Sequence, residues 1–181
     1  MPTVPFRLQP FEPDPALAGL VLGGSYSLEQ GNLRIHYRLC GNLQGLQIPL
    51  PCPTPQRRDA LWQSTCFEAF VGVAGSEGYW ELNLSPAGHW NLYRLDGYRS
   101  GLRPEPACAA LAVARQQEVN ALTLDVALNL STLMPAEAPL ELSLTAVLQQ
   151  RHGDCSYWAL RHTGSEADFH RRDSFLAAQW R

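Results

Sequence analysis

Thr65-Cys-Phe-Glu-Ala-Phe70 and Tyr79-Trp-Glu-Leu-Asn-Leu-Ser85 are two short runs separated by a connection that contains Gly75-Ser-Glu-Gly78. Side chains on a strand point alternately to its two faces, so a period of two sorts each run. In the first, Cys66, Glu68 and Phe70 share one face and Thr65, Phe67 and Ala69 the other. In the second, Tyr79, Glu81, Asn83 and Ser85 oppose Trp80, Leu82 and Leu84. A tight turn between them makes an antiparallel hairpin, which places Glu68 beside Glu81 or Asn83 on one face of a sheet.

The same alternation recurs outward from this pair. Leu33, Ile35, Tyr37 and Leu39 alternate with Arg34, His36 and Arg38. Residues 122–130 and 140–148 read as two long strands, joined by a loop or short helical turn through Ser131-Thr-Leu-Met-Pro-Ala-Glu-Ala-Pro139. Further strands are expected at 24–28, 46–50, 90–95, 110–115 and 157–161. Fourteen prolines and fourteen glycines leave little room for helices. The proline-rich stretch 49–63 is expected to be a surface loop leading into the central hairpin. Nine to ten strands indicate an all-β fold, a two-sheet antiparallel β-sandwich of jelly-roll or immunoglobulin-like type with few short helices.

Length and composition set the outer bounds. A chain of 181 residues, 45% hydrophobic and 17% charged, suits one domain over 1–181 with its own core. The net charge of −3, without a basic run, argues against nucleic acid as a partner. No stretch approaches the length of a membrane span, and the N-terminal residues lack a signal-peptide pattern, so no membrane association and a cytoplasmic location are the expectation. Nothing in the pattern sets an oligomeric state. Cys40, Cys52, Cys66, Cys108 and Cys155 form no C-x-x-C pair and read as free, mostly buried thiols rather than metal ligands.

The densest chemistry lies between Arg57 and Arg99. Two carboxyl groups on one sheet face repel unless something answers them: Arg58, Arg94, Arg99, a metal ion or the hydroxyls of a sugar. Trp62, Trp90 and Tyr93 offer rings on which a sugar stacks, and Glu68, Glu81, Asn83 and Arg94 offer hydrogen bonds, with Ser85 on the same strand face. The alternative is an ordinary solvated face, the common state of polar residues on an antiparallel strand. The segment around Phe169 and Phe175 is expected either to line the rim of that face or to form a surface loop anchored by two phenylalanines.

Arg58-Asp-Ala-Leu-Trp-Gln-Ser-Thr-Cys-Phe-Glu-Ala-Phe70, Tyr79-Trp-Glu-Leu-Asn-Leu-Ser-Pro-Ala-Gly-His-Trp-Asn-Leu-Tyr-Arg94, Asp96-Gly-Tyr-Arg99, Tyr157-Trp-Ala-Leu-Arg-His162 and Ala167-Asp-Phe-His-Arg-Arg-Asp-Ser-Phe175 resemble the bacterial DOMON-like proteins of unknown function. These are relatives of DOMON domains and of family 9 carbohydrate-binding modules. The resemblance implies a β-sandwich that binds haem or sugars rather than an enzyme. It implies an acidic residue at the position of Glu68 and an upstream aromatic at that of Trp62. Haem-binding members use Met and His axial ligands. Here Met1 and Met134 are the only methionines, and His162 or His170 would have to supply a histidine ligand.

Four readings follow: a sugar-binding module with no cofactor, a haem protein, a glycosidase using Glu68 and Glu81, and a protein-interaction domain. Carboxyl pairs on neighbouring strands can meet the spacing of either glycosidase mechanism. An interaction domain would instead expose a contiguous apolar patch.

Overall fold

The computed structural model describes residues 3–136 and 138–180. Among them thirteen strands form two antiparallel sheets. Five strands make the smaller sheet: β1 (Val4–Arg7), β3 (Val21–Glu29), β4 (Asn32–Cys40), β9 (Val113–Gln117) and β10 (Ala121–Asn129), in the order β1-β3-β4-β10-β9. The larger sheet runs β2 (Gln9–Pro10), β12 (Cys155–Ala159), β11 (Leu140–Gln149), β5 (Cys66–Val73), β6 (Tyr79–Leu84), β7 (Trp90–Leu95), β8 (Arg103–Pro104), and β13 (Leu176–Ala178) also pairs with β11.

Alternation decides which faces meet. Leu33, Ile35, Tyr37 and Leu39 of β4 pair across the smaller sheet with Leu128, Val126, Leu124 and Leu122 of β10. All eight are buried in the core between the sheets. The larger sheet answers with Phe67, Ala69, Val71, Leu82, Leu84, Leu92, Leu142, Leu144 and Ala146. Gly24, opposite Tyr37, is needed where it stands. Its φ of 150° is one that side chains rarely adopt, and a Cβ there would strike the His36 carbonyl and the Phe6 ring.

Some expected strands lie elsewhere. Residues 46–50 form no strand: Leu46 makes one bridge to Gln150, and Gln47 donates its N–H to the Gln149 carbonyl at 2.8 Å. Pro49, Pro51 and Pro53 then leave no regular donors for a ladder. The strand expected at 110–115 begins later, at Val113. Four short strands, β1, β2, β8 and β13, carry too few residues to show a period.

Candidate functional site

The outward face of the larger sheet is not solvated. Register builds it in rows: Thr145, Glu68, Asn83 and Asn91 lie abreast across β11, β5, β6 and β7, and Ser143, Phe70, Glu81 and Tyr93 form the next row. Glu68 therefore faces Asn83 directly and Glu81 diagonally. Glu68 is 2% exposed, Glu81 4% and Asn83 0%. Polar side chains become buried on a sheet face only where something covers it, and two segments do so here.

The first cover is the 49–64 loop. Asp59 accepts hydrogen bonds from Asn91 Nδ2 at 2.9 Å and from the Tyr93 hydroxyl at 2.7 Å, which fastens the loop to β7. Trp62, 36% exposed, packs edge-on against Tyr93. The second cover is the 160–175 segment. Phe169 and Phe175 pack on Phe70, and Phe175 also packs on Tyr79, in a small apolar cluster of their own. Asp168 ties the segment down: Arg99 donates to it at 3.0 Å, the Tyr98 hydroxyl at 2.6 Å and the His170 backbone N–H at 3.0 Å.

Between the covers and the sheet lies a cavity of about 340 Å³. Glu68 and Glu81 stand on its sheet side, Trp62 and Phe70 among its rings, and Arg99, Phe169 and His170 on the side of the second cover. Burial pushes the Glu68 carboxyl well above the usual carboxylate range, and the neighbouring Glu81 adds to the push. Thr145 Oγ1 donates to Glu68 Oε2 at 3.2 Å, while Glu68 Oε1 has no hydrogen-bond partner. Burial also raises Glu81, against the hydrogen bond that Asn83 Nδ2 donates to it at 2.8 Å and the field of Arg99.

His170 sits 3.9 Å from Glu81 through Nε2 and 2.8 Å from the Tyr79 hydroxyl through Nδ1. Burial and the Arg99 charge lower its pKa to about 4, so the imidazole is neutral at physiological pH. The Tyr79 oxygen accepts the Arg99 backbone N–H at 3.3 Å. With the phenol donating to Nδ1, the imidazole proton stands on Nε2, toward Glu81. The cavity thus presents two carboxyls whose pKa values burial raises and a neutral imidazole, beside aromatic rings.

Of the residues expected at a site, Trp62, Glu68, Glu81, Arg99 and His170 come together around this cavity, and Asn83 and Tyr93 support it from behind. The others do not reach it. Trp90 and Arg94 share the parity of Leu92 and face the opposite way: Trp90 lies in the inter-sheet core beneath the Arg57 guanidinium, and Arg94 stacks on Trp80. Arg58 meets β7 through its main chain. Ser85 Oγ accepts the Ala87 N–H at 3.2 Å within its own turn. His162 is 2.9 Å from the Gln9 carbonyl through Nε2 and packs against Phe11. Phe70 lies on the face expected for it and the segment around Phe169 takes the rim position, one of the two expected for it, while Thr145 is a contributor not expected from the sequence. Thr145 was legible, since it alternates with Leu144 and Ala146 on a strand that pairs with β5.

The side chains present do not fit the Met–His haem pair. Met134 is buried in the main core and His162 is engaged elsewhere, which leaves His170 alone at the cavity. Among the described residues no group of three or more His, Cys, Asp or Glu is arranged to hold a metal ion, and no helix is long and apolar enough to cross a membrane.

No protein-family model matches the chain, and no curated protein matches it. Solved structures do. A candidate carbohydrate-binding protein from Bacteroides uniformis superposes with a TM-score of 0.66 at 10% identity, over 96% of this chain and 86% of that one. A family 9 carbohydrate-binding module from Caldicellulosiruptor kristjanssonii in complex with cellotriose gives 0.61 at 7% identity, over 98% and 82%. A module of that family from the same organism in complex with glucose gives 0.54 at 7%, over 90% and 77%. The likeness is one of fold. It bears out the β-sandwich expected from alternation and leaves the chemistry to be argued from the cavity.

Proposed function

We propose that this chain is a non-catalytic module that binds a small sugar or sugar-like metabolite in the cavity between β5, β6 and the two covering segments. The carrying observation is the mixed lining: the aromatic side chains of Trp62, Phe70, Tyr157 and Phe169 share a cavity of about 340 Å³ with the buried carboxyls of Glu68 and Glu81. A pyranose has apolar faces and a polar rim of hydroxyls, and a site with aromatic walls and a few convergent polar groups matches both. The volume is near the lower end of the range for ligand pockets, which suits one or two rings rather than a polymer chain. That structural neighbours include modules in complex with glucose and cellotriose supports the reading through fold alone.

Calorimetric titration with a panel of monosaccharides and disaccharides tests it. Saturable binding that falls at least ten-fold in Trp62→Ala is the expected result. Silence across the panel, or equal binding by that variant, overturns it. Chromatography of the sugar after incubation provides a second arm. Recovery of intact ligand is expected, whereas hydrolysis would favour the glycosidase reading of Glu68 and Glu81.

A further inference from the structure

Glu68 and Glu81 line one cavity, where the Arg99 charge acts on Glu81 through space without pairing to it. Among the described residues no arginine forms an ion pair with either carboxyl. The chain's positive residues are all arginines, and it contains no lysine. The arginine at the cavity, Arg99, is paired with Asp168. Glu68 Oε1 is buried and has no hydrogen-bond partner. A buried carboxyl oxygen left unmatched has a cost that a ligand donor removes.

We propose that the ligand carries a protonated primary amine, an amino sugar in the simplest case, whose ammonium group settles beside Glu68 and Glu81 among the rings of Trp62, Phe70 and Phe169. The inference rests on the sugar reading of the same cavity and narrows it. An ammonium group brings three donors, enough for the open Glu68 Oε1 and for Glu81 Oε2, which lies 3.9 Å from His170 Nε2. Aromatic rings attract the same cation through their negative faces. A neutral hydroxyl in that place would supply one donor and no charge.

The groups facing the carboxyls bear on the proton balance. Cys66 comes from β5, Tyr79 from β6 and Tyr37 from β4, all held neutral by pKa values that burial pushes up. His170 and the Arg99–Asp168 pair come from the rim. None of these adds a net charge near neutral pH. Burial raises the pKa of both carboxyls, and an arriving ammonium, which stabilises the carboxylate form, lowers it again and so drives proton release to buffer.

The test compares glucose, N-acetylglucosamine and glucosamine, which differ at one ring position, by calorimetry at pH 7 in two buffers of unlike ionisation enthalpy. The expected result is that glucosamine binds at least ten-fold tighter than either neutral sugar. Its apparent enthalpy shifts between buffers by the amount of a released proton, and that of the neutral sugars does not. In Glu81→Gln and in Glu68→Gln, each checked for folding by circular dichroism, the preference for glucosamine collapses to less than two-fold. Neutral sugars binding as tightly as glucosamine overturn this inference and leave the sugar reading standing, as does glucosamine binding without proton release. Failure of all three sugars, with silence in the wider panel, overturns both.

Discussion

Burial makes the folded chain hold the Glu68 proton more tightly than the unfolded chain does, and the pH dependence of stability follows from that. Its pKa is raised on folding, by burial first and by Glu81 second. Above the unfolded value of 4.5 the unfolded chain releases this proton while the folded chain keeps it. The folded state then binds more protons, so stability falls as pH rises from about 4.5 through the folded-state pKa. Glu68→Gln copies the protonated form and keeps the acceptor for Thr145. Denaturant midpoints measured across pH 4.5–8 should therefore decline less steeply in the variant than in the parent; equal slopes would place the titration elsewhere. His170 has the opposite sign. Its pKa falls from 6.5 to about 4 on folding, so its contribution is complete above 6.5 and is lost as pH drops toward 4. The full contribution is about 3 kcal/mol at one pKa unit per 1.36 kcal/mol. His170→Asn should flatten the acid limb of the stability curve between pH 6.5 and 4, at the expense of the contact with Tyr79.

At the scale of elements, the segment 160–175 decides whether the polar rows of β5 and β6 are a site or an open surface. Asp168 is its fastening, holding Arg99, Tyr98 and the His170 main chain together. Asp168→Ala removes three acceptor contacts in one step. Hydrogen exchange should then rise at least ten-fold over residues 164–175 while β4 and β10 stay protected, because the segment opens locally and the core does not. Uniform deprotection would show instead that the cover and the sandwich unfold as one unit. The sheets themselves were readable from alternation, since strands with one face in the core and one in water, such as β4 and β10, obey a strict period of two. The cover was not readable in the same way. It reaches β5 from a hundred residues downstream in the chain, and polar alternation on β5 and β6 looks identical whether the outer face meets water or a lid. Trp90 and Arg94 went astray for a simpler reason. Aromatic and cationic character drew them into the site, although parity with Leu92 already put them on the inward face of β7.

Across the whole molecule the larger sheet is shared by two interiors of unlike character. Its inward face joins the smaller sheet in one apolar core, and its outward face carries buried polar rows beneath loops. Tyr37 links them. It stands on the smaller sheet, fully buried, and its hydroxyl crosses the sandwich to donate to the Glu68 backbone carbonyl at 2.5 Å. Burial pushes the phenol's pKa well above its ordinary value, so it remains a donor near neutral pH. The carbonyl it meets belongs to the same residue whose side chain lines the cavity, so this bond steadies β5 from the core side just where the site needs a fixed backbone. Tyr37→Phe keeps the ring that packs against Phe6 and Phe67 and deletes only the bond. A stability loss of about 1 kcal/mol is expected, against the roughly 2–5 kcal/mol of truncating a core leucine such as Leu144 to alanine. Chemical denaturation should show a lower midpoint with an unchanged slope, since the surface exposed on unfolding is the same. A loss as large as that of Leu144→Ala would mean that the hydroxyl fixes the spacing of the two sheets. In that case the cavity residues on β5 would shift with it, and a difference in tryptophan fluorescence between the folded variant and the parent that disappears when both carry Trp62→Phe would report the change.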